Sequence, residues 1–167
     1  MLRAFVVVGL LLAIGVTTIG AVPAERSARR CPVTIPTTSV PRDAGFSAAG
    51  FNYGNSRLRA HLYWPRGRLT AGILPDGGAM ATIQKDGSIW AKVGWWVATA
   101  DTLVVTGRRL DGSSRSLRAS VPYGYGLGFQ PVGLTFPTVG CWRVVGRAGS
   151  ARLKFVVEVT EVRRSTS

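Results

Sequence analysis

The closing stretch of this chain, Leu134 to Val159, restricts its fold more than any other. It reads LTFPTVGCWRVVGRAGSARLKFVVEV. Leu153, Phe155, Val157 and Val159 fall on one face of an extended segment; Lys154, Glu158 and Thr160 fall on the other, with Val156 the exception. A period of two marks a strand with one buried face. Burying such side chains contributes about 1.5–3 kcal/mol each, so this row is a sizeable share of any core. Upstream, Trp142 and Val144 share one face and Cys141, Arg143 and Val145 the other. An unpaired arginine is rarely buried, which assigns Trp142 and Val144 to the core and Cys141 to the outer face or the strand's edge. Arg147-Ala148-Gly149-Ser150 supplies turn residues, so the two strands are expected to pair as an antiparallel hairpin. Phe136 to Gly140 leads into the first of them, with Pro137 tolerated at a strand's start and Gly140 suited to a bend.

The rest of the chain repeats this grammar. No stretch offers an amphipathic helix, and 21 glycines and 9 prolines place turn signals at the spacing of short strands. The pattern predicts an antiparallel sandwich or barrel of about eight to ten strands. In Arg57 to Trp64, Leu58, Ala60, Leu62 and Trp64 alternate with Arg57, Arg59, His61 and Tyr63, as in a half-buried strand. Leu69–Leu74 and Met80–Ile83 are strand candidates, with turns at Pro75-Asp76-Gly77-Gly78 and Lys85-Asp86-Gly87-Ser88. The second turn suits a hairpin into Ile89–Val97. Thr102–Arg109 is a β-branched strand; Asp111-Gly112 is a hairpin cue, after which Leu117, Ala119 and Val121 return with period two. Pro122 to Phe129 alternates glycine with aromatics. It lacks the GK[ST] and helix of a phosphate loop and reads as a loop. Glu25 to Arg42 is broken by Pro32, Pro36 and Pro41 and reads as an extended arm with one short edge strand at Val33-Thr34-Ile35; Asp43 to Ser56 reads as a loop.

The beginning of the chain predicts export. Arg3, the apolar run Ala4–Ile19 and the small-residue site Val22-Pro23-Ala24 form a secretory signal over residues 1–24. The competing reading, an uncleaved anchor, is disfavoured because the run is short and broken by Thr17 and Thr18. No later run is long enough to span a membrane, so the mature chain is expected outside the cytoplasm without a transmembrane helix. In an oxidising compartment Cys31 and Cys141, the only two cysteines, are expected to bridge. A loop of about 100 residues closed in this way gains roughly 4.7 kcal/mol in the chain-entropy model. A metal site is the competing reading, but two cysteines and one histidine at these separations match no zinc spacing.

The formal charge is +13, or +12 once Arg3 leaves with the signal. Such an excess attracts polyanions. The arginines are scattered along the sequence, which favours a compositional origin. A polyanion reading would use Arg57, Arg59, Arg66, Arg68, Arg108 and Arg109. Candidate chemistry is sparse. His61 lies between arginines with no carboxylate or nucleophile placed to partner it. Asp76 and Asp86 sit in turns without the alternating oxygen ligands of a calcium loop. Only eight Asp and Glu exist; an Asp101–Asp111 pair is the one glycosidase-like combination the spacing leaves open. In IWAKVGWWV, Trp90 and Trp96 share one face and Trp95 the other, so either face can fill the core while the other shows an indole to solvent. The candidate ligand surface is therefore Trp95, Tyr123, Tyr125, Arg108 and Arg109, although Trp95 packing under the arm or a loop is the preferred alternative.

At GRRLDG (Gly107 to Gly112), at GFQPVGLTFPTVGCW (Gly128 to Trp142), in the closing LKFVVEV and at the CPVTIP beginning at Cys31, the chain resembles a group of secreted bacterial proteins of unknown function. The resemblance implies an immunoglobulin-like sandwich and carries no catalytic residues. The two cysteines lie farther apart than the core pair of antibody domains, and one sits in a proline-rich arm. The organisation expected is a signal peptide (1–24), an arm and loop (25–56), an all-β, antiparallel immunoglobulin-like β-sandwich (57–163) and a tail (164–167). The function expected is a secreted, non-enzymatic binding or cell-envelope module without cofactor. Its partner would be an anionic polysaccharide or envelope component rather than a specific nucleic acid. A polyanion- or glycan-binding protein is the alternative, with a secreted hydrolase behind it.

Overall fold

The structure, a computed structural model, describes residues 30–37, 51–72, 81–122 and 126–162. The expected signal peptide, the turn at Pro75–Gly78, Tyr123, Tyr125 and the tail lie outside the described residues. Among the described residues ten strands appear in chain order: β1 (Asn52–Gly54), β2 (Leu58–Leu62), β3 (Arg68–Ala71), β4 (Thr82–Ile83), β5 (Ile89–Val97), β6 (Leu103–Arg109), β7 (Arg118–Ser120), β8 (Gly128–Phe136), β9 (Gly140–Ala148) and β10 (Ala151–Glu161). They form two facing sheets. The first runs β1-β2-β5-β8-β7, with β4 also on β5; the second runs β3-β10-β9-β6. The ladders between these strands are antiparallel except β3–β10, which is parallel; an isolated bridge from Ala71 to Ala81 is also parallel.

The hairpin at the end of the chain forms as its alternation demands. β9 and β10 pair from Ala148–Ala151 through to Gly140–Val159, around a turn in which Gly149 takes a φ of +53°. Trp142, Val144, Phe155, Val157 and Val159 are sealed in the core, and Cys141 is outward yet covered. Opposite them, Ile89, Ala91, Val93, Trp95 and Val97 of β5 all point inward and are buried. The sheets approach closely at Gly146, where a Cβ would stand 2.5 Å from Cη2 of Trp95. The indole fills the space that β9 leaves by having no side chain there.

Several elements depart from expectation. β1 falls inside the stretch read as a loop, and Val33-Thr34-Ile35 is extended without being a strand. The arm is held on β10 by Thr34 N–H donating to the Val156 carbonyl (3.0 Å) and Val156 N–H donating to Thr34 Oγ1 (2.9 Å). β8 also went unforeseen, because Pro131 and its glycines argue against a strand. β7 pairs only with Gly133–Thr135 of β8, so at Pro131 one side of that strand has no strand neighbour among the described residues; proline is tolerated in that position. Asp111-Gly112 does not close a hairpin. Leu117 N–H bonds to the Gly107 carbonyl (3.0 Å), and the chain then crosses to the other sheet as β7. Gly107 permits the crossing, since a Cβ there would lie 3.2 Å from that of the buried Leu117.

Tyr53 stacks on Phe155 in the core (centroids 5.1 Å apart), and its hydroxyl has no hydrogen-bond partner among the described residues. Burial pushes its pKa up to about 12. A group whose pKa is raised on folding supports the fold below its unfolded value, near 10, and loses that support as pH rises through the folded value. Tyr53→Phe is therefore expected to be neutral or stabilising at pH 7. It should also remove a descending limb of stability between about pH 10 and 12, read from urea midpoints across that range.

Candidate functional site

The outer face of the second sheet carries a cluster that register alone assembles. Arg108 of β6 stands directly opposite Arg143 of β9, and Arg147 of β9 opposite Arg152 of β10. Lys154 lies between these rows, opposite Val145. Like charges directly opposite in a sheet cost roughly 0.2–1 kcal/mol per pair. No ion pair among the described residues relieves either pair; the bridges formed are Arg68–Glu158, Arg109–Asp111 and Arg118–Asp86. Arg143 is half-buried, and its Nε is sealed from solvent without a hydrogen-bond partner among the described residues. Four of the arginines scattered along the sequence thus share one surface.

Of the six arginines first considered for polyanions, only Arg108 belongs to this cluster. Arg59 is 2% exposed, and burial lowers its pKa. Arg68 is paired with Glu158. Arg109 Nε donates to Asp111 Oδ1 at 2.7 Å. This pair rests on Gly140, whose φ is +136° and where a Cβ would meet Arg109 Nε at 2.6 Å. Burial opposes ionisation of Asp111, but the hydrogen bond from Arg109 and the one involving the Cys141 backbone outweigh it and hold the carboxyl below its ordinary value. The GRRLDG and VGCW motifs therefore meet at the bridge. There Cys31 and Cys141 are bonded across a sequence separation of 110 residues, with Cα atoms 5.3 Å apart. No group of His, Cys, Asp and Glu among the described residues could hold a metal ion.

Two other expectations are corrected. Trp95 is wholly buried against Gly146 and cannot be a ligand surface. Its inward parity with Ile89, Val93 and Val97 was the signal; Trp90 shares the outward face with Lys92. Asp101 and Asp111 cannot act as a carboxylate pair. Asp101 lies against Gly149 beyond one end of β9, and Asp111 lies against Gly140 at the other. Nine strand residues separate them by about 26–30 Å, against the ~10 Å a glycosidase requires. His61 is half-buried, not freely solvated. It sits between Phe51 (5.9 Å) and Tyr63 (5.1 Å), with Nδ1 2.9 Å from Asn52 Oδ1, and burial lowers its pKa. Neutral imidazole is then its state at pH 7.

Sequence inspection missed Arg143, Arg147, Arg152 and Lys154 as a group. The signal was the two-residue turn at Gly149-Ser150, which sets the register that places Arg147 opposite Arg152.

Fold and site together define a two-sheet, mostly antiparallel β-sandwich, strapped by one disulfide and bearing an outward basic lattice. No protein-family model, curated protein or solved structure matches the chain. No helix among the described residues is long and apolar enough to cross a membrane.

Proposed function

We propose that this protein is an extracytoplasmic, non-enzymatic binding module that docks on an anionic polymer of the cell envelope through the outer face of its second sheet. The reading rests on one observation: two like-charge cross-strand pairs, Arg108–Arg143 and Arg147–Arg152, stand with Lys154 and without an ion pair to an acid among the described residues. A polyanion supplies the missing countercharge and turns a cost of folding into binding energy. The bonded cysteines and the leader-like opening sequence support an oxidising, exported location. The immunoglobulin-like kinship suggested by the sequence is kept as part of this proposal, supported by the two facing sheets.

Inorganic polyphosphate is a suitable probe, titrated against the full chain over a range of salt concentrations. Replacing Arg143, Arg147 and Arg152 by glutamine is expected to weaken binding and to flatten the plot of log affinity against log salt by about 2–3 units. The same charge removed at Arg57, Arg66 and Arg115 should leave most of the slope. Equal effects from both triple variants would reduce the site to bulk charge and sink the proposal.

A further inference from the structure

The opposite side of the sandwich carries a second surface that the basic lattice does not use. On the outer face of the first sheet, register aligns Thr82, Trp90, Thr135 and Arg118 in one row, and Lys92, Gly133 and Ser120 in the next. Trp90 does not stand away from the sheet. A Cβ on Gly133 would meet its Nε1 at 2.6 Å, Cε2 at 3.3 Å and Cζ2 at 3.6 Å, so the indole lies across β8 in the space a side chain would occupy. Its Nε1 edge is the part nearest Gly133, and the residue keeps 38% of its surface exposed. Tyr63, 47% exposed, lies next to Lys92, whose Nζ is 5.9 Å from its ring centroid. Arg118 is held only loosely by Asp86, at 3.9 Å between two exposed side chains. The other half of this face is closed: Asn52 is 0% and Arg59 2% exposed.

We infer that the open half is a binding site for an acidic sugar ring, of the uronate class, within a polysaccharide. A flat, fixed indole offers a stacking surface to the C–H face of a pyranose. The groups around it are hydroxyls and cations: Thr82, Ser120 and Thr135 match ring hydroxyls, and Lys92 and Arg118 match a ring carboxylate. Single-stranded nucleic acid also stacks on aromatics, but it needs a basic groove tracking successive phosphates. Two cations around one open indole do not form such a groove, so the sugar is favoured. This site is independent of the polyphosphate reading, because it lies on the other sheet.

Tryptophan fluorescence separates the two. Of the five tryptophans, Trp64, Trp95 and Trp142 are fully buried, so Trp90 and the half-buried Trp96, both on the first sheet's outer face, report ligand there. The full chain is titrated with tetragalacturonate, cellotetraose and an oligothymidylate in about 0.3 M salt, where screening weakens the exposed basic face. Tetragalacturonate is expected to quench and bind most tightly. Trp90→Ala should weaken it at least about fivefold. Gly133→Ala, which displaces the ring without removing it, should weaken it similarly. Lys92→Gln should reduce the preference for tetragalacturonate over cellotetraose, whereas Arg57→Gln, the same charge lost about 26 Å along the sheet from Trp90, should not. Unaltered thermal midpoints confirm that the variants are folded. Failure of tetragalacturonate to bind at millimolar concentration, wild-type affinity in both Trp90→Ala and Gly133→Ala, or tighter Trp90-dependent binding of the oligothymidylate would each overturn the inference. Loss of polyphosphate binding in the arginine variants would leave it standing.

Discussion

Replacing both Cys31 and Cys141 by alanine is expected to lower the stability of this chain by about 3–5 kcal/mol. The bond closes a loop with a sequence separation of 110 residues, which spans most of the sandwich. Long loops have the most conformational freedom to lose, so the unfolded chain is where the cross-link acts. The folded chain loses little else locally, because Cys141 is covered but lies outside the core. Thr34 would still hold the arm to Val156 through two hydrogen bonds. At 2–4 °C per kcal/mol, the thermal midpoint should fall by roughly 6–20 °C. Adding reductant to the native protein should give the same fall once thiol labelling confirms that the bond is open. A midpoint that stays put with both sulfurs free would show that the strap contributes nothing, and that the arm's contacts suffice.

Trp142→Ala is expected to cost about 3–5 kcal/mol, because a large side chain at 0% exposure leaves a cavity that a sheet cannot close. The ring does more than fill space. Its Nε1 donates to the Thr138 carbonyl at 3.0 Å, which ties the turn between β8 and β9, and it meets Phe136 edge-on at 5.7 Å. Trp142→Phe keeps most of the apolar area and drops the hydrogen bond, for a loss of about 1–3 kcal/mol. Trp90→Ala should cost less than about 1 kcal/mol, as that indole lies outside the core. Urea midpoints at constant m-value order the three. A Trp90 variant as damaged as the Trp142 one would show that the outer face of the first sheet holds the fold together instead of facing a ligand.

The candidate sites were legible in the sequence only in part. Alternation along β5 placed Trp90 with Lys92 and Trp95 with Ile89 and Val97, yet two tryptophans on one face and one on the other drew attention to the wrong ring. Arg108 and Arg109 adjoin in sequence and so point to opposite faces; one faces the basic lattice and the other is held by Asp111. Arg143 and Lys154 were recognisably outward. That they share a surface with Arg108 requires β6 to lie beside β9, which no local pattern encodes.

By itself the sequence determined which side chains of β2, β9 and β10 face inward, because the pleat repeats every two residues and burial selects the apolar set. It also determined the β9–β10 hairpin, since a two-residue turn leaves one register that buries Trp142 together with Phe155. Only the tertiary structure decided the order of the strands, the parallel β3–β10 pair and the passage from β6 to β7 across the sandwich. Ladder hydrogen bonds join backbone groups that every residue but proline carries in full, so sequence-distant partners leave no mark on local pattern. The same reason governs the two surfaces: whether charges and rings are neighbours depends on which strands lie side by side.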